Sequence, residues 1–249
     1  MSRIRVPITE LASGLRVLEE EAARYVGRVH RLREGDSFLA FDPEQGVEAE
    51  ARIVSSRRGR VGCEIGAVTP VVVESDVPTW LLLGVCKGDR FEWALREATA
   101  LGVTDIVPTL MARSSSSGAR ADAKRVERWR RILVQGARQS GRGDVPRLHG
   151  PVALSEALAL VPNVEWLRVC LWEQAEAPAG PAFRDGAARP GIAMIVGPEG
   201  GMEPAEAAAA SDAGFAVVSL GALILRTETA VVATLGAWRV CRMPAGSAR

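Results

Sequence analysis

Aromatic and histidine side chains are scarce in this chain, with one tyrosine, five phenylalanines, six tryptophans and two histidines. A lone Tyr25 argues against the multi-aromatic stacking surface of an RRM. Two histidines, His30 and His149, leave little material for a Ser-His-Asp triad, and no GxSxG is present. Cys63, Cys86, Cys170 and Cys241 are far apart and form no CxxC pair, so neither a metal site nor a disulfide framework is expected. No charge-free apolar run approaches the ~18 residues a membrane span needs, and the first residues lack the apolar core of a signal peptide. A cytoplasmic protein without a membrane partner is the expectation. Lysine is almost missing: Lys87 and Lys124 stand beside 29 arginines. The planar arginine fork suits phosphates and base edges, although a GC-rich genome gives the same bias.

What remains is ordinary for a globular protein, 47% hydrophobic and 24% charged over 249 residues, enough for one large or two small domains. The net charge is only +1 but is unevenly spread. Residues 113–147 hold ten basic residues against three acids, a local +7 that leaves the rest of the chain at −6.

Residues 1–70 read as a small β-rich domain. Ile4, Val6 and Ile8 alternate, a helical stretch over 19–32 follows, and Asp42-Pro43-Glu44-Gln45-Gly46 turns between two strand-like segments. Residues 71–78 read as a linker, and 79–249 as an α/β domain. There, an apolar strand over 80–86 leads to a helix capped by Asp89, with Phe91, Ala94, Leu95, Ala98 and Leu101 on one face, and then to a strand over 103–107. This βαβ unit predicts a mostly parallel sheet. Asp122 is expected to cap a helix reaching about residue 139, with Trp129, Leu133 and Ala137 inward and arginines recurring on another face. Strand 166–172 precedes a loop over 175–190.

The stretch from 193 to 230 organises the chain. A buried strand leads into Gly197-Pro198-Glu199-Gly200-Gly201, whose glycines leave backbone amides uncovered for close approach. A helix and a strand follow, and then Leu220-Gly221-Ala222-Leu223-Ile224-Leu225-Arg226-Thr227-Glu228-Thr229, an apolar run that passes directly into a polar helix start. In an open α/β sheet, loops at the carboxyl ends of strands bind ligands. Three such loops are candidates here: the ends at Leu171-Trp172-Glu173, at Gly197 and at Leu220.

These motifs, with Gln139-Ser140-Gly141-Arg142, Leu101-Gly102-Val103 and Gly27-Arg28-Val29, resemble the RsmE family of small-subunit ribosomal RNA uridine-N3 methyltransferases. They occur in the family's order over nearly the whole chain. The resemblance implies a PUA-like RNA-binding β-barrel over 1–70 and a SPOUT α/β trefoil-knot domain over 79–249. It implies S-adenosylmethionine as cofactor, 16S rRNA or the small ribosomal subunit as partner, and a homodimer. Backbone groups of Gly197, Leu220, Gly221 and Leu225 would hold the adenine and ribose, with Leu171, Trp172, Pro198, Gly200, Gly201, Ile224, Thr227 and Thr229 completing the cofactor site. Candidate RNA contacts are Arg3, Arg5, Arg28, Arg31, Arg128, Arg131, Arg138 and Arg142, the last four forming a track that almost no acid offsets.

Methyl transfer to a weakly acidic uridine N3 requires uptake of its proton or stabilisation of the charge spreading to O2 and O4. Arg226 is the candidate for the charge, and Glu199 or Glu228 for orienting the base or taking the proton. Three positions depart from the family: Glu97 and Ala100 replace lysine and glutamate, and Leu223 replaces arginine. Loss of a matched glutamate and arginine predicts an apolar contact between Ala100 and Leu223. Two other readings stay open at this point, a SPOUT methyltransferase acting on another rRNA or tRNA position and a non-catalytic RNA-binding homologue.

Overall fold

The computed structural model describes residues 4–57, 59–71, 77–114, 123–162 and 165–242, which group into two units. One comprises residues up to 74 together with Val134–Val145; the other comprises Ser75–Leu133 and Pro146–Arg249.

The first unit contains β1 (Arg5–Pro7), β2 (Gly14–Val17), α1 (Glu20–Arg24), β3 (Ser37–Asp42), β4 (Val47–Arg57), β5 (Arg60–Ile65) and β6 (Thr69–Pro70). The sheet order is β1-β3-β4-β5-β2 with β6 against β4. Among the described residues only β1 and β3 of this sheet pair in parallel. Along β4, Ala49, Ala51 and Ile53 point inward while Glu50, Arg52 and Val54 point out, the alternation of a strand with one wet face. The inward residues pack with Val6, Val26, Phe38 and Cys63. Asp42 is 1% exposed and fully engaged, its carboxylate accepting from the backbone N–H groups of Leu11, Glu44 and Gln45. The helix expected over 19–32 is shorter: α1 ends at Arg24 and continues as a π-helical turn, Tyr25–Val29.

The second unit holds β7 (Thr79–Gly84), α2 (Gly88–Ala100), β8 (Asp105–Leu110), the start of α3 (Ala123–Ser140), β9 (Arg147–Leu148), β10 (Val152–Ala153), α4 (Leu154–Leu160), β11 (Leu167–Leu171), α5 (Ala179–Gly186), β12 (Ile192–Val196), α6 (Pro204–Asp212), β13 (Ala216–Val218) and α7 (Thr227–Arg242). Its sheet runs β10-β8-β7-β12-β11-β13, with β9 on β8, and every pairing is parallel. Strands β7 and β12 are buried at every position, so their near-continuous apolar sequences match a sheet covered on both faces. Register aligns Leu83 with Val196, Val196 with Leu171, and Leu171 with Val218. The loops leaving these four strands therefore start from one row.

Two local expectations are corrected. Asp89 lies inside the first turn of α2 and does not cap it; the N-cap is Lys87, whose N–H donates to the distant Glu199 carboxylate at 3.2 Å. The segment 175–190 is not simply a loop, because it contains α5. Its alanine, glycine and proline content hid the buried anchor Phe183 and the close docking of Gly186, where a Cβ would stand 2.7 Å from the Leu167 side chain. Asp122, the other expected cap, lies outside the described residues. Among the described residues no helix is long and apolar enough to cross a membrane.

Candidate functional site

The close seating of the glycine turn on β7 defines the site. Gly84 ends β7, and a Cβ there would lie 2.4 Å from Pro198 N and 2.8 Å from Gly197 C, so only glycine permits this approach. Gly201 has φ +76, and its N–H donates to Pro198 O at 2.9 Å, closing the turn. The turn is held from outside as well: the Arg113 guanidinium donates to Gly200 O at 3.1 Å. Glu206 near the start of α6 accepts from Ala112 N and Glu203 N, both at 2.8 Å, the second being half of a reciprocal capping box.

The segment after β13 meets this turn. The Thr227 hydroxyl donates to Gly197 O at 3.0 Å, and the start of α7 is thereby tied to the end of β12. Between the two segments lies a cavity of about 220 Å³. Of the sequence candidates, Leu171, Trp172, Gly197, Pro198, Glu199, Gly200, Gly201, Leu220, Gly221, Ile224, Leu225 and Thr227 line it. Thr229 does not, for it lies about 200° around the helix from Thr227 at ~100° per residue. Arg226 and Glu228 are also absent from the lining, although they flank Thr227. Val196, Met202, Leu223 and Ala230 line it without having been singled out as site residues, as does Glu173, which was named at a candidate strand end but not as a cofactor contact. Glu173 follows the strand-end pair Leu171-Trp172, so its position was a readable signal; Met202 and Ala230 carried none.

The three polar candidates have different surroundings. Glu199 is committed to the start of α2, accepting from Lys87 N and lying 3.5 Å from Arg90 Nη1. Arg226 is exposed, with no side-chain hydrogen bond or ion pair among the described residues. Glu228 is half-buried, and its Oε2 is buried with no hydrogen-bond partner among them. Beneath the site, burial pushes the Cys86 thiol up to about 11; hydrogen bonding with the Thr227 side chain and the Glu199 backbone opposes this, and the Glu199 and Glu228 charges reinforce it.

Leu223 is 80% exposed and Ala100 is also exposed, so the packed apolar contact expected between them does not form within one chain. Both are surface positions and neither belongs to a buried patch.

The expected arginine track is less free than the sequence suggested. An acid distant in sequence supplies part of what the local count lacked: both oxygens of Glu92 engage Arg128 at 2.7 Å. Glu127 lies 3.5 Å from Arg131, and Asp144 binds Arg142. The Glu127–Arg131 pair is exposed and contributes about 0–1 kcal/mol, whereas Arg142 is only 11% exposed in its pair with Asp144. Arg5 is 12% exposed, paired with Glu48 and set over the Phe41 ring, so it belongs to the barrel's own packing. Arg28 and Arg31 are exposed, and Arg3 lies outside the described residues.

Comparison with known proteins bears directly on this geometry. A model for an RNA methyltransferase domain matches residues 73–239, and one for an RNA methyltransferase PUA domain matches 18–65. The Bacillus subtilis ribosomal RNA small subunit methyltransferase E is 30% identical over 87% of this chain and 86% of its own length. The chain belongs to this family. The Aquifex aeolicus member is 33% identical, covering 90% of this chain and 93% of its own. A Neisseria gonorrhoeae member, solved bound to S-adenosyl methionine, superposes with a TM-score of 0.83 at 30% identity over 96% of this chain and 97% of that one. The PUA-like module and parallel α/β domain of the RsmE family are thus both present.

Proposed function

We propose that this protein is a cytoplasmic, homodimeric methyltransferase that uses S-adenosylmethionine to methylate N3 of a uridine in 16S rRNA of the small ribosomal subunit. The observation that carries the reading is the Thr227–Gly197 hydrogen bond, which joins the glycine turn and the Leu220–Thr227 segment around one cavity in a chain of this family.

The residues present fit the cofactor. Trp172 presents a buried indole N–H with no partner among the described residues, ready for a ligand acceptor. A Cβ at Gly197 or Gly201 would come within 2.7 Å of Met202 or 2.9 Å of Glu173, so the bare backbone is what a ligand meets. Backbone groups of Gly197, Leu220, Gly221 and Leu225 would hold its adenine and ribose. When bound, it supplies an electrophilic sulfonium methyl.

The chain's own polar groups then divide the work. Glu199, tied to Lys87 N and Arg90, braces the turn. Arg226, exposed between pocket residues Leu225 and Thr227, faces the charge developing on uridine O2 and O4. Glu228, with an unused carboxylate oxygen, takes the N3 proton. Leu223 and Ile224 are 80% and 85% exposed in the single chain, and a second copy would cover them.

The test uses labelled S-adenosylmethionine and small subunits from cells lacking the protein, with mass spectrometry to locate the mark. Arg226→Ala should lower transfer about 100- to 1,000-fold, as loss of one charge-stabilising donor does elsewhere. Calorimetric cofactor affinity should stay near wild type. Glu228→Gln should behave likewise and Glu199→Gln should weaken cofactor binding. An active Arg226→Ala enzyme, or a mark on another atom, overturns the corresponding assignment. Sedimentation of the wild type as a monomer would remove the dimer.

A further inference from the structure

The first unit contains a groove that the reading above leaves unused. Arg24, Tyr25 and Val29 form one wall and Gln135, Arg138 and Gln139 the other, around about 410 Å³. That size falls in the ~300–1,000 Å³ range of small-ligand sites. The chain's only tyrosine lines it. The Arg138 guanidinium lies 4.1 Å from the Tyr25 ring centroid, near enough to stack, and its Nε is buried without a partner among the described residues.

The backbone here is unusual as well. Tyr25–Val29 is a π-helical turn, with His30 N donating to Tyr25 O at 3.1 Å, and Arg31 has φ 55. Such turns and left-handed non-glycine residues concentrate at functional sites because they are otherwise unfavourable. The turn keeps His30 edge-on to Tyr25 at 4.5 Å between centroids, so the ring is held from two sides. Gln135 and Gln139, four apart on α3, present exposed amides along one face.

A planar guanidinium on an aromatic ring, flanked by side chains that both donate and accept, is the equipment for an unpaired base: a surface to stack on and partners for its polar edge. A phosphate alone would use the arginines but neither the ring nor the amides. With Glu21 beside Arg24, the groove is not a strongly cationic channel either. We propose that this groove receives one unpaired base of the RNA, other than the base that is methylated, stacked on the Arg138–Tyr25 pair and read by Gln135 and Gln139. The proposal rests on the reading that the chain acts on RNA and names a second point of recognition.

The experiment measures fluorescence anisotropy of the full-length protein with labelled single-stranded oligouridylate and oligoadenylate, an abasic ribose-phosphate strand of equal length and an RNA duplex. Variants are Tyr25→Leu, Arg138→Lys and the double change Gln135→Ala with Gln139→Ala. The glutamines are exposed, so the double variant isolates recognition from folding. Each variant should weaken at least one single strand about tenfold, as loss of a base-stacking group does. Affinity for the abasic strand and the duplex, and the salt slope, should stay at wild-type values, because no phosphate contact is removed. Equal losses on the abasic strand, or wild-type binding by all variants, overturn the groove. If the variants bind as wild type while the wild type still binds RNA and methylates it, only the groove fails. If the wild type does neither, the RNA reading fails with it.

Discussion

Replacing Gly84 with alanine tests the central geometric claim, because the contact it disturbs involves backbone and cannot be relieved by a rotamer. The new methyl would sit 2.4 Å from Pro198 N, 2.6 Å from Pro198 Cδ and 2.8 Å from Gly197 C. Restoring ordinary contact requires the turn or the end of β7 to retreat by about 1 Å. Residue 84 ends a strand buried at every position, and Leu83 is paired with Val196 one residue before the turn, so the sheet resists the movement. Overpacking of this kind costs about 1–3 kcal/mol, which for a chain this long lowers Tm by roughly 2–12 °C. The functional effect should be larger than the loss of stability. Gly197 O, which accepts from Thr227, moves with the turn, so the cavity is deformed on both sides. A misplacement of ~1 Å lowers a reaction rate about 100-fold. The assay pairs calorimetric titration with S-adenosylmethionine and a thermal melt, using Gly150→Ala as control because nothing lies within 4 Å of its added methyl. A Gly84→Ala protein that binds cofactor as the wild type does would refute the account of the turn.

Three further expectations follow from the same contacts. Glu206→Ala removes the acceptor shared by Ala112 N and Glu203 N and should cost about 1–3 kcal/mol in denaturant unfolding, with faster amide exchange at Ala112; unchanged stability would argue against the tether. Burial raises the folded thiols of Cys86 to about 11 and Cys170 to about 12 from 9.0, so folding keeps them protonated. The unfolded chain releases those protons first, so stability should be intact below about pH 9 and fall by a few kcal/mol as pH rises toward 12. Exchanging both cysteines for alanine should flatten that part of the pH profile. At pH 8 a thiol reagent should modify Cys241, which is partly exposed, well before the buried Cys86 and Cys170.

Continuous apolar strands in a βαβ pattern, and the alternation of Ile4, Val6 and Ile8, were sufficient to read a covered parallel sheet and a β-rich module, because burial on two faces or one leaves those periods directly in the chain. The glycine turn and the Leu220–Thr227 segment were legible for a similar reason: unusual residues packed into a few positions. Helix α5 was not, since one phenylalanine and a close glycine carry its docking. Nor was the division between Glu199 and Glu228, which are chemically identical in sequence. It arises because Glu199 faces the start of α2, 112 residues away, while Glu228 keeps a buried oxygen free. The arginine-rich helix misled in the same way: its local charge count omitted Glu92, which reaches Arg128 from another helix. Periodicity and glycine placement are properties of neighbouring residues, so the sequence alone determined most of the strands, the long helices and the likeness to a family. Which oxygen is free, which cation is neutralised and whether Tyr25 meets Arg138 depend on residues brought together only by folding, and the tertiary structure decided those.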